Sequence, residues 1–113
     1  MRTETPDIET MRDSVTRALV DMPALPAPDA EALDTLAATL RGHVVVLVPE
    51  VEALAAQRPE GDVPGRVALA CVEEARRKLR VRDGHTVQAR LTTVQKLGRV
   101  VKALCDHFET LTG

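Results

Sequence analysis

Apolar residues recur at helical spacing along almost the whole chain. Ile8, Met11, Val15, Leu19 and Met22 follow one another at steps of three and four, which is one stripe of an amphipathic helix. Thr5-Pro6-Asp7 supplies its start, with Thr5 as N-cap, Pro6 in the first turn and an acid close behind. The first predicted helix covers 6–22. In Pro23-Ala24-Leu25-Pro26-Ala27-Pro28 each proline disfavours helix at the residue before it, so 23–28 reads as a stiff, extended linker. A second stripe, Leu33, Leu36, Leu40, Val44, Leu47, Val51 and Leu54, follows Asp29 as cap. The β-branched run Val44-Val45-Val46-Leu47-Val48 has the character of a short buried strand, and Pro49 removes a backbone donor. The stripe nevertheless crosses Pro49 in phase, which predicts one helix over 29–58, kinked near Pro49.

Pro59-Glu60-Gly61 then breaks the chain. A third helix is predicted over 62–82, with Val67, Ala70, Cys71, Ala75 and Leu79 on its inner face and Asp83-Gly84 at its end. Thr86 is a cap for a fourth, over 86–111, carrying Val87, Leu91, Val94, Leu97, Val101, Leu104, Phe108 and Leu111. Gly98 sits in its middle at a cost of about 1 kcal/mol relative to Ala. The later breaks are short, so neighbouring helices run antiparallel. The expected fold is all-α: an up-down-up-down four-helix bundle, one domain spanning 1–113.

Composition narrows the chemistry. With no Trp or Tyr and a single Phe, Phe108, the core is aliphatic, and the aromatic rings that ligand pockets and nucleic-acid platforms recruit are missing. The net charge is −2, but residues 1–56 carry −6 and residues 57–113 carry +4. The total speaks against nucleic acid, while the uneven distribution leaves room for a local basic face. No unbroken apolar run approaches the ~18 residues of a membrane span. Met1-Arg2-Thr3-Glu4 lacks the apolar region of a signal peptide. Cys71 and Cys105 form no CxxC or Cys/His cluster, and on antiparallel helices they are offset by eight residues, about 12 Å, beyond disulfide reach. These features together lead us to expect a cytoplasmic protein with reduced thiols.

Three groups of residues are candidates for function. His43 and Glu50 lie seven apart, within about 20° of each other on the helix, and flank Pro49, where the Val45 carbonyl loses its helical partner. They are the candidate polar or ligand site, against the plainer alternative that both pair with Arg76, Arg77 or Arg80 nearby. Val45 and Val46 make the second helix apolar all round, which calls for cover on every side and suggests a dimer contact. Arg76, Arg77, Lys78, Arg80 and Arg82 put five cations in seven residues at a helix C-terminus, where they favour the dipole or form a surface for an acidic partner. No catalytic residue, metal ligand or cofactor site can be assigned: the three histidines have no helical metal spacing and no phosphate loop or hydrolytic triad is present.

Leu40-Arg41-Gly42-His43, Leu47-x-Pro49-Glu50-Val51-Glu52-x-Leu54 and Ala70-Cys71-Val72-Glu73-Glu74-Ala75-Arg76-Arg77-Lys78-Leu79 together resemble a family of small actinobacterial, streptomycete-type proteins over roughly 30–110. Its members have no established function and carry the loose label "natural product biosynthesis protein". The resemblance implies a setting near secondary metabolism and brings no catalytic residues. The reading is of a small non-catalytic accessory or interaction protein that binds a protein partner, with a second copy of itself as one candidate. The alternatives are a small-molecule-binding or catalytic helical protein built on the Pro49 region, and a nucleic-acid-binding regulator using the basic face.

Overall fold

A computed structural model describes residues 5–82 and 84–113. Helix α1 (Ile8–Thr16) runs on through a π-helical turn (Arg17–Asp21) and a last turn at Met22–Ala24. It is followed by α2 (Ala30–Ala56), α3 (Val63–Leu79) and α4 (Val87–Thr112), and no strand occurs among the described residues. The β-branched run of α2 is therefore helical, and its phase-matched stripe outweighs its strand propensity.

The caps are side chains found in the sequence, with one correction. Asp29, Asp62 and Thr86 each accept a hydrogen bond from the backbone N–H three residues on, at 2.9, 2.9 and 3.0 Å. At the first helix the cap is Asp7, not Thr5: its Oδ1 accepts from Thr10 N–H at 3.1 Å and its Oδ2 from the Thr10 hydroxyl at 2.8 Å. A carboxylate holds both donors of Thr10 and lies on the positive end of the helix dipole, which a threonine hydroxyl does less well. The α2–α3 turn needs Gly61, whose φ of +85° is a left-handed value. Pro49 lies within α2, whose helical run continues on both sides of it. The third helix stops at Leu79, earlier than expected; of its expected stop, Gly84 lies beyond the helix and Asp83 is outside the described residues. Its end is closed by tight turns from Arg80 and Val81 N–H to Arg77 and Lys78 carbonyls, and by the Arg41 guanidinium of α2. That group donates to the carbonyls of Leu79 at 3.2 Å and Val81 at 3.0 Å.

The polar ties between helices fix their directions. Arg90 of α4 meets Asp34 of α2 at 2.9 Å, so these two run parallel from a shared end. Arg12 of α1 reaches Asp106 at 2.8 Å and also Glu109, near the far end of α4, so α1 is antiparallel to it. Arg76 of α3 meets Glu52 of α2 at 2.9 Å while Arg41 holds the C-terminal end of α3, so α3 is antiparallel to α2. The result is the up-down-up-down bundle, 48 × 25 × 24 Å, with α2 and α4 packed most extensively and α3 and α1 seated on opposite sides of that pair.

The core follows two of the four stripes closely. Leu33, Leu36, Leu40, Val44, Leu47 and Val51 of α2 and Val94, Leu97, Val101 and Leu104 of α4 are all buried. In α3 the buried face is Gly65, Ala68, Val72 and Ala75, one residue out of phase with the expected face over its first half, and Val67 is 50% exposed. The first half of α3 is apolar nearly all round, so spacing alone does not fix its phase. Along the first helix Met11 and Val15 are buried as expected, and in the π turn beyond α1 Ala18 is buried in place of Leu19. The π turn, where Met22 N–H donates to the Arg17 carbonyl five residues back, alters the phase there. Gly98 is the seat for this turn: a Cβ on it would lie 2.9 Å from that of Ala18. The close approach that this glycine allows is thus made within one chain.

Candidate functional site

The outward side of α2 opposes its core stripe. At about 100° per residue, Thr35, Ala38, Gly42, Val45, Val46, Pro49, Ala53 and Ala56 fall on one arc. All eight are exposed, and none carries a charge. Val45 and Val46, at 60% and 46% exposure, are its largest side chains. Between Thr35 and Ala56 charged residues stand only at the edges of the arc, Arg41 and Glu52 toward α3 and His43 and Glu50 toward α1, while the exposed Glu31 ends it at the start of the helix. By length and composition alone α2 is apolar enough to cross a membrane, because apolar residues line both its core and its outer side.

His43 and Glu50 are not gathered into one polar site. His43 is half-buried with Nε2 3.1 Å from the hydroxyl of Ser14 on α1, and that buried hydroxyl also reaches the Thr10 carbonyl at 3.4 Å. Burial foremost, then the charge of Arg17, hold the imidazole below its ordinary pKa, with Asp7 opposing. Glu50 is half-buried, with no hydrogen bond or ion pair among the described residues. The expected pairing of either with Arg76, Arg77 or Arg80 is not formed: Arg76 takes Glu52 and Glu73, and Arg77 takes Glu74. Hollows lie elsewhere, among them one between Arg17, Asp21, Asp29 and Glu31 and another between α3 and α4.

Much of the basic run is spent on its own helix. Arg76, Arg77 and Lys78 pair with Glu73 and Glu74 at three- and four-residue spacing, while Arg80 and Arg82 are exposed. On α4, Arg90 and Lys102 are held by Asp34 and Asp106. Lys96 and Arg99 have no partner among the described residues, and they face Lys78 and Cys71 across the α3–α4 hollow. Sequence spacing had not singled out this hollow, because its walls come from two helices whose relative register is set by packing. Both thiols are free, and burial pushes each of them up, so neither is an activated nucleophile.

The molecule is thus a small all-α four-helix protein without a recognisable catalytic constellation among its described residues. The chain belongs to a family of unknown function, DUF6415, whose model matches residues 9–113. No curated protein and no solved structure matches it.

Proposed function

We propose that the protein is a non-catalytic interaction module and that the outer face of α2 is its docking surface, with a second copy of the chain as the occupant. The observation that carries this is the uncharged arc from Thr35 to Ala56 with Val45 and Val46 at its centre. Leaving such a strip in water forfeits the gain of burying it, and a soluble chain normally breaks it with charge. The strip also reads nearly the same in both directions. About a centre between Val45 and Val46, an antiparallel copy sets Val45 against Val46, Gly42 against Pro49, Ala38 against Ala53 and Thr35 against Ala56. A two-fold interface requires this self-complementarity, and small residues at both ends let two helices approach closely.

Light scattering on the wild type and Val45→Glu tests the reading. The wild type is expected at twice the chain mass and the variant, with unchanged helicity, at the chain mass. A wild type monomeric at all concentrations overturns it. The actinobacterial, cytoplasmic setting near natural product biosynthesis belongs to the same proposal and rests on the sequence resemblance. Deleting the gene in a producing strain and profiling its secondary metabolites tests that part.

A further inference from the structure

The hollow between α3 and α4 is a second surface, independent of the α2 face. It measures about 430 Å³, within the range of small-molecule clefts. Its apolar parts are Val100, which is buried, and the half-buried Ala103 and Cys71. Around them stand Lys78, Lys96 and Arg99, with Glu74 as the single acid. Glu74 is already engaged by Lys78, at 3.1 Å, and by Arg77. Lys96 and Arg99 are left with no partner among the described residues, beside an apolar surface, and both come from one side of α4.

From this juxtaposition we infer that the α3–α4 groove binds a small monoanion with an apolar body, its carboxylate held by Lys96 and Arg99 and its body laid over Val100, Ala103 and Cys71. A neutral apolar molecule would leave the two cations unanswered. A polyanion such as nucleic acid would meet the carboxylate of Glu74 and would waste the apolar surface, and no aromatic ring is present to stack a base. An amphipathic anion satisfies both parts of the groove, and the guanidinium of Arg99 suits a carboxylate in the paired geometry.

Cys71 reports occupancy, since a bound body covers its thiol. The experiment follows alkylation of Cys71 by iodoacetamide, read by peptide mass, as octanoate is titrated in. Octan-1-ol serves as the neutral comparison. Octanoate is expected to protect Cys71, with octan-1-ol weaker by about tenfold. The double variant Lys96→Glu/Arg99→Glu is expected to lose octanoate protection by a similar factor. Arg80→Glu, which changes charge outside the groove, and Val45→Glu, which changes the α2 face, are expected to keep it. Equal protection by the alcohol, unchanged protection in the double variant, or no protection at all overturns the inference. Because Val45→Glu leaves the groove intact, failure here and failure of the α2 reading are separately visible.

Discussion

At the residue scale, His43 shows how a polar group flagged for chemistry is used for packing. Its ring meets Ser14 and joins α1 to α2, and burial favours the neutral form. A histidine whose folded pKa is depressed adds stability that is present above its unfolded value, near 6.5, and is lost as pH falls through the folded value. The protein is therefore expected to lose stability as pH drops below about 6.5, well before the carboxylates protonate. Urea unfolding at pH 7.5 and 5.5 checks this, and His43→Gln is expected to flatten the difference between the two. The sequence placed His43 at the edge of the α2 stripe, which is where it lies. It gave no way to see that the neighbour would be Ser14, since which helix covers that edge depends on how α1 docks. The same holds for Arg41, whose role as a bracket on the end of α3 joins residues 38 apart in the chain.

At the scale of elements, the legible parts were those whose side chains differ most between faces. The stripe of α4 was readable because large Leu and Val side chains alternate with polar or small ones, and that of α2 because its Leu and Val recur in phase from Leu33 to Leu54 although Val45 and Val46 make its middle apolar all round. The phase of the early part of α3 was not, because Val63, Val67, Ala68, Leu69, Ala70 and Val72 suit several rotations equally, and only packing against α2 and α4 selects Ala68 and Val72. Pro49, inside α2, works against the stability of that helix. Proline there leaves the Val45 carbonyl without its helical donor, at a cost of up to ~3 kcal/mol relative to a good helix former. Pro49→Ala is expected to raise the unfolding free energy by about 1–3 kcal/mol in a urea titration carried out at a chain concentration low enough to keep the protein monomeric. No gain would mean that the Val45 carbonyl is already satisfied by other means.

At the scale of the whole molecule, the four helices run two up and two down, so their backbone dipoles largely cancel along the 48 Å axis. The charge difference between the halves of the sequence does not cancel. Helices α1 and α2 carry the acidic half and α3 and α4 the basic half, which makes the molecule polar from side to side. Two copies meeting through α2 would bring their acidic sides together and turn their basic sides outward. Self-association through α2 is therefore expected to strengthen as sodium chloride rises from 50 to 500 mM and screens that repulsion, measured by sedimentation equilibrium. A pair that weakens with salt would instead be joined acidic side to basic side. The lateral polarity thus gives salt the opposite sign in the two arrangements, and in the one proposed here it leaves the paired molecule with a positive flank on each outer side, facing whatever anions surround it.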